Sequence, residues 1–354
     1  LTSNTRNEPS GGALARAGDW LQRQWWQASP TAGARLLQPL STLYETLAER
    51  RRRATVPEST GLPVVVVGNL IVGGAGKTPT VIALVHALRA LGWTPGVISR
   101  GHGRDGAAVA AVRRDSAARE VGDEPLLIHL RSGAPVVVGR DRLAAARALR
   151  ATHPEMNLLL ADDGLQHWRL ARDAQVIVFD DRGAGNGLPL PAGPLRQRLP
   201  EAVPPRSLVL YNAAAPSTPL PGWCAQRRLA GAVELADWWA GRPSSLEALH
   251  ALRGRPVVAA AGIGAPQRFF AMLQAQGLSL TPCPVADHHD YATLPWPPGT
   301  PDVVLTEKDA IKLDAARCPG SRVWVVALDF ALPDGFVAEL ARLLPASPSV
   351  PHEP

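Results

Sequence analysis

One stretch constrains this chain more than any other: PVVVVGNLIVGGAGKTP, residues 63–79. A run of valines reads as a strand buried on both faces, and a glycine-rich turn then leads into Gly76-Lys77-Thr78 at a helix start. Glycines let backbone N–H groups converge on phosphate oxygens, and the helix N-terminus adds a favourable dipole. Lys77 is placed to bridge the outer phosphates, and the Thr78 hydroxyl to hold Mg²⁺. Pro79 is tolerated in the first helical turn. The strict P-loop pattern asks for glycine where this chain has Ile71. What remains is a shorter form, with Ile71, Val72, Gly73, Gly74, Ala75, Gly76, Lys77 and Thr78 as the expected nucleotide cradle. Looser P-loops of this kind often carry lysine where Val72 stands.

A cradle of this type needs a second Mg²⁺ anchor at the end of a nearby strand. NLLLADDG supplies Asp162 and Asp163 after an apolar run, a Walker-B pattern. The surrounding sequence agrees. From residue 63 apolar strands (GVISR, PVVVG, NLLLADD, AQVIVFD, SLVLYN) alternate with helical segments such as EPLLIHLR and DRLAAARALRA. That alternation predicts α/β architecture with a mostly parallel sheet covered on both faces. After about residue 215 a second α/β unit follows, with PVVAAAGIG, PQRFFAMLQAQG, DVVLTEKDA and RVWVVALDF. A long Gly/Pro-rich stretch, 181–205, carries arginines including Arg182, Arg196 and Arg198, with Arg206 just beyond it, and reads as either a functional loop or a linker. The expected organisation is a disordered extension over 1–17, N-terminal helices over 18–55, a P-loop domain over 56–215, a second α/β sandwich over 216–345 and a loose tail over 346–354.

Residues 18–53 read as helical, with Pro39 expected to open a second helix at its first turn. Leu40, Leu43, Tyr44 and Leu47 recur at helical spacing, with Trp20, Trp25 and Trp26 upstream and Arg50–Arg53 at the end. This composition suits a helix lying in a membrane interface. It equally suits a helix packed on the domain with arginine at its C-terminus, the reading that the segment by itself favours. No run of 18 apolar residues predicts a membrane span.

The net charge is +6, and of 37 basic residues only three are lysine: Lys77, Lys308 and Lys312. A lysine here is therefore a marked choice. The arginines are spread along the chain without an aromatic-basic motif, so nucleic acid is not an expected partner. Three scattered cysteines exclude a disulfide framework and a CxxC metal site. The GTPase reading weakens, since TEKD has the wrong order for a guanine reader and neither Asp162 nor Asp163 opens an Asp-x-x-Gly switch. A kinase needs a base for its acceptor hydroxyl, and the candidates lie in VGDEP (Asp123, Glu124) and ADHHDY (Asp287, His288, His289). The rival class is a P-loop switch or assembly factor.

LLQPLSTLY, LPVVVVGNL, GGAGKTP, SRGHG, GDEP, DDGLQH, LPAGPLR, AGIGAPQRFF, ADHH and TEKDA occur in this order over residues 36–330. Together they resemble the tetraacyldisaccharide 4'-kinase family. The resemblance implies transfer of the γ-phosphate of ATP, with Mg²⁺, to a lipid disaccharide 1-phosphate. It implies peripheral attachment to the anionic cytoplasmic face of a bacterial inner membrane and no obligate protein partner, and it tips residues 18–55 toward the interfacial reading. It pairs Asp123 with His288 as the proton-accepting couple. It puts Asp162 and Asp163 near the metal and Ser99, Gln166 and His167 along the site. Arg100 joins Lys77 as a charge-neutralising catalytic group. Asp123 and His288 belong to different halves of the chain, so the site is expected in an interdomain cleft. Two positions depart from the family pattern: Gln197 stands where glutamate is common after GPLR, and His102 where tyrosine is usual. TEKDA, at a strand end, is a candidate for adenine contact.

Overall fold

The computed structural model describes residues 11–287 and 289–346, with side chains from residue 18 onward. Two helices, α1 (Gly11–Trp25) and α2 (Ala32–Ala54), precede the first sheet. The first α/β unit then contains β1 (Val64–Gly68), α3 (Lys77–Ala90), β2 (Pro95–Ser99), β3 (Ala110–Ala111), α4 (Ala118–Val121) and α5 (Asp123–Ser132). It continues with β4 (Val136–Val138), α6 (Arg142–Thr152), β5 (Leu158–Asp162), β6 (Ala174–Asp180), β7 (Ser207–Asn212) and β8 (Trp223–Cys224). The second unit holds β9 (Gln226–Glu234), α7 (Leu235–Trp239), α8 (Leu246–His250), β10 (Pro256–Ala261), α9 (Pro266–Ala275) and β11 (Ser279–Pro284). It closes with β12 (Asp302–Thr306), α10 (Glu307–Ala310), β13 (Arg322–Ala331) and α11 (Phe336–Leu343).

The first sheet has the order β3-β4-β2-β5-β1-β6-β7-β8 and the second β11-β10-β12-β13-β9. All pairings are parallel except β3 with β4 and β9 with β13. The continuous Val/Leu runs explain this: β1 and β5 are buried at every position, as strands covered by helices on both faces must be. The strand β8 still belongs to the first sheet, so the change of sheet falls at Ala225 rather than near residue 215.

The N-terminal segment differs from the sequence expectation in two ways. Helix α1 begins at Gly11, so residues 11–17, expected to be disordered, are helical; Ala13, Leu14, Ala15, Arg16 and Ala17 are all strong helix formers. Residues 1–10 and 347–354 lie outside the described residues. Helix α2 begins at Ala32, capped by Thr31, whose hydroxyl accepts from Ala34 N at 3.1 Å. Pro39 therefore sits inside the helix, not at its start. A true cap upstream outweighs one missing backbone donor.

Helix α2 is fixed to the 181–205 loop by polar contacts along one face. Ser41 Oγ donates to Pro189 O at 2.9 Å, Tyr44 Oη donates to Arg196 O at 3.1 Å, and Glu45 pairs with Arg198. Trp25 Nε1 donates to Pro191 O at 2.8 Å, and Arg182 lies over the Trp26 ring. The opposite face is left bare: Leu36 is 81% exposed, Leu40 53%, Leu43 55% and Leu47 55%. Among the described residues no helix is long and apolar enough to cross a membrane.

The two units meet along α5, β9, α7 and α10. Arg131 pairs with Glu307, and Trp238 Nε1 donates to the same carboxylate at 3.1 Å. Arg268 pairs with Asp181.

Candidate active site

The site lies where an open α/β sheet places its chemistry, at the carboxyl ends of the strands. After β1 the chain loops from Asn69 to Gly76, and α3 starts at Lys77. Gly76 has φ 89°, a left-handed conformation that other residues resist. It is also crowded: a Cβ there would run into Asn212 and Arg227. Three consecutive loop carbonyls have side-chain donors. Asn69 Nδ2 donates to Gly73 O at 3.0 Å, Arg182 Nη2 to Gly74 O at 2.7 Å, and Asn212 Nδ2 to Ala75 O at 3.1 Å. Ile71 bridges Leu195, and Val72 N donates to Pro194 O at 2.9 Å. Among the described residues the amides of Gly73, Gly74, Ala75, Gly76, Lys77 and Thr78 make no such bond. With the carbonyls tied back and the amides free, the loop is preset for an anion.

Lys77 is 7% exposed, and its Nζ donates to Asn69 Oδ1 at 3.2 Å. It also lies 3.5 Å from Asp163 Oδ1. Thr78 is half-buried beside it in the first turn of α3. Asp162, the last residue of β5, is 1% exposed. Its Oδ2 accepts from Ser99 Oγ at 2.9 Å, while Oδ1 is buried with no partner among the described residues. Burial above all, then Glu124 and Asp163, push its carboxyl up to about 7; Lys77 and Ser99 act the other way. Asp163 has φ 48° and sits between Lys77 and Arg196, whose Nη1 donates to Oδ1 at 2.9 Å. Burial works to raise this carboxyl, but Lys77 and Arg196 outweigh it and hold it below the usual value. The orphaned Asp162 oxygen and the two carboxylates beside the Thr78 turn fit a divalent cation. Two carboxylates are too few to hold the ion alone. That suits Mg²⁺, which binds through one or two carboxylates plus phosphate and water.

Gln166 Nε2 donates to Asn69 O at 3.3 Å and approaches Gln197 Oε1 at 3.5 Å. His167 Nε2 is buried without a partner among the described residues. Burial first and Arg142 second bring its ring down to about 4, so it is neutral in ordinary buffers. Arg142 itself is buried, donates to Gly139 O at 2.8 Å, and projects its charge onto Asp162 and Asp163.

Asp123 opens α5 and is 7% exposed. Gly122, with φ 94°, lets the backbone touch that of Gly101; a Cβ on Gly122 would lie 3.1 Å from the Gly101 Cα. The SRGHG and GDEP turns are thus packed together. Ser99 ties the first of them to Asp162, which brings Asp123 to the same end of the sheet as the paired carboxylates. Lys312 Nζ lies 3.3 Å from Asp123 Oδ2, and Lys308 Nζ lies 3.0 Å from Asp287 and 3.7 Å from Glu124. The TEKDA strand end is thereby engaged with GDEP rather than with the P-loop. All three lysines of the chain take part in these two networks. His288, the expected partner of Asp123, lies outside the described residues. Arg100 is exposed at the end of β2 and lines a cavity with Arg104 and Arg140.

Asn69, Asn212, Arg142, Arg196 and Arg227 take part without having been singled out for the site from sequence. Asn69 follows β1 and Asn212 ends β7, so a polar residue at a strand's carboxyl end was the available signal. Arg227 comes from β9 of the second unit and reaches Gly76; burial lowers its guanidinium from the usual value, and Asp180 opposes that.

Comparison with known proteins shows the family and the fold. The family model described as tetraacyldisaccharide-1-P 4'-kinase matches residues 33–345. The tetraacyldisaccharide 4'-kinase of Methylibium petroleiphilum is 56% identical over 93% of this chain and 94% of its own length. That of Leptothrix cholodnii is 51% identical over 95% and 98%. LpxK from Aquifex aeolicus, crystallised in complex with ATP, superposes with a TM-score of 0.70 over 88% of this chain and 98% of its own; at 24% identity it speaks to the fold. On the strength of the family match and these relatives, the chain belongs to the tetraacyldisaccharide-1-P 4'-kinase family.

Proposed function

We propose that this chain moves the γ-phosphate of ATP onto the 4'-hydroxyl of a tetraacyldisaccharide 1-phosphate, a step of lipid A biosynthesis. The observation that carries the reading is the P-loop, with its carbonyls tied back by Asn69, Arg182 and Asn212, facing Asp162 and Asp163 in a chain of this family.

Phosphoryl transfer asks mainly for positioning and charge neutralisation. The Gly73–Thr78 amides and Lys77 hold the β- and γ-phosphates. Thr78, Asp162 and Asp163 would hold Mg²⁺, which neutralises phosphate charge when bound. Asp123, with His288, orients the 4'-hydroxyl and takes its proton. The 4'-oxygen forms its bond to the γ-phosphorus as the bond to the bridging oxygen of ADP breaks. Arg100 offsets charge on the transferring group, Ser99 fixes Asp162, and Gln166 and His167 shape the acceptor side as neutral groups. Arg196 joins Asp163 to the loop carrying α2, so the membrane-facing element and the carboxylates share one support.

The bare Leu36–Leu47 face suits peripheral binding at the anionic cytoplasmic face of the inner membrane. Fully burying a leucine side chain gains about 1.5–3 kcal/mol, and four of them stand ready. The lipid acceptor is met there without leaving the bilayer.

Purified protein mixed with ATP, Mg²⁺ and detergent-dispersed acceptor should yield ADP and a lipid with a new 4'-phosphate in equal amounts. A P-loop switch would yield neither, and that result would overturn the reading.

A further inference from the structure

Helix α10 and the turn after it bring charged side chains of the second unit to the boundary with the first. Glu307 pairs with Arg131 of α5, and Lys308 lies 3.7 Å from Glu124. Asp309 is the mount. Fully buried, it accepts from Thr306 Oγ1 at 2.6 Å and from Gly262 N at 3.1 Å, which fixes α10 to the ends of β12 and β10. One turn further on, Lys312 reaches across to Asp123. Its Nζ lies 3.3 Å from Asp123 Oδ2, and the two side chains are only 8% and 9% exposed. Among the described residues Lys312 Nζ makes no hydrogen bond, so it acts on Asp123 through its charge. Opposite charges buried this deeply depend on each other. Removing one strands the other, and a stranded carboxylate responds by taking up a proton. The other titratable groups around Asp123 are Glu124 on its own helix, Lys308 and Asp287 from the second unit, His102 of the turn packed on Gly122, and Asp162 beyond Glu124. Lys308 divides its charge between Glu124 and Asp287, whereas Lys312 lies against Asp123 itself. The choice of lysine matters in a chain whose basic residues are otherwise almost all arginine. A guanidinium fork takes both oxygens of a carboxylate, while an ammonium is a point charge that approaches one.

Building on the kinase reading, we propose that Lys312 is a positioning residue of the transfer reaction: delivered by the second unit, its charge keeps the Asp123 carboxylate ionised and able to receive the acceptor hydroxyl proton. Lys312 itself touches neither nucleotide nor acceptor; it acts through Asp123. Asp123 is then competent only where the two units are docked through α5 and α10, which ties proton removal to the join between them.

The test measures kcat against pH, with saturating ATP and detergent-dispersed acceptor. It compares the wild type with Lys312→Met, Lys312→Arg, Asp123→Asn and the double variant Asp123→Asn with Lys312→Met. In Lys312→Met the acidic fall of kcat should move up by about one to three pH units, the span that an adjacent opposite charge commands. KM for ATP should not change. Lys312→Arg keeps the charge, so its acidic limb should stay near the wild-type position, with kcat lowered because the fork claims both Asp123 oxygens. In the Asp123→Asn background Lys312→Met should add no further loss, since no carboxylate is left to hold. If Lys312→Met does not fold, Lys312→Gln, which keeps a polar end without charge, carries the same expectation. The proposal is overturned by an unmoved acidic limb in the uncharged variant, as a packing defect would give, or by an equal shift in Lys312→Arg. A rise in KM for ATP, or an undiminished loss in the Asp123→Asn background, also overturns it. Wild-type protein that makes no phosphorylated lipid would refute the kinase reading itself, a result distinct from any of these.

Discussion

Two glycines of the P-loop, two residues apart, should respond in opposite ways to the same change. Gly76 has φ 89°, and its missing Cβ points at Asn212 and Arg227. Gly74 has no positive φ and nothing within 4 Å of a Cβ position. For Gly76→Ala the left-handed backbone costs about 1–2 kcal/mol. The collision displaces the Asn212 amide and its bond to Ala75 O, worth about another 1 kcal/mol with the buried carboxamide left unpaired. The sum is about 2–3 kcal/mol, which for domains of this size lowers Tm by roughly 4–12 °C. Gly74→Ala should stay within about 0.5 kcal/mol of the wild type. Thermal unfolding monitored by circular dichroism reads the stability, and ATP titration of each folded variant reads the cradle. Gly76→Ala should also weaken ATP binding, because its loop amides no longer converge. Equal Tm values for the two variants, or an unaltered ATP affinity in Gly76→Ala, would refute the reasoning.

Three further expectations follow from the same geometry. Lys77→Ala should lower kcat by several powers of ten, whereas Gln197→Ala, which removes one 3.5 Å approach to Gln166, should cost under tenfold; a steady-state kinase assay separates them. Leu40→Glu with Leu43→Glu should abolish flotation with anionic vesicles yet keep turnover on detergent-dispersed acceptor, and retained flotation would show that the bare face is not the docking face. The His167 ring titrates near 4 in the folded chain and near 6.5 when unfolded, so its contribution to stability is complete above about pH 6.5 and is lost as pH falls toward 4. His167→Gln should therefore flatten the fall of Tm with acidification over that window, and identical slopes would rule the reading out.

Much of the fold was legible because strands such as VVVVG and LLLAD are apolar throughout, a signature of burial on both faces. Lys77, Thr78 and the Asp162–Asp163 pair were legible because local chemistry defines them: a glycine turn before a helix, and carboxylates closing an apolar run. Asn212 and Arg227 were not, since they reach the loop only through β7, one strand beyond β6, and β9 of the second sheet, both well over a hundred residues on in the chain. The start of α2 was misplaced because Pro39 is a stronger local signal than Thr31, although the Thr31 cap is what the helix uses. Leu36 escaped notice for a related reason: it falls before Pro39, ahead of where the helix was expected to begin. The interdomain lysines stood out by rarity, but only the fold shows that Lys308 and Lys312 converge on GDEP.

The central claim is that a triphosphate rests against the main-chain amides after β1, beside Asp162 and Asp163. A crystal structure of the protein with a non-hydrolysable ATP analogue and Mg²⁺ measures this directly. The β- and γ-phosphates should lie within hydrogen-bonding distance of the Gly73–Thr78 amides and Lys77, with the metal on Thr78 and the paired carboxylates. Nucleotide density in any other part of the molecule, with that loop left empty, would contradict the account.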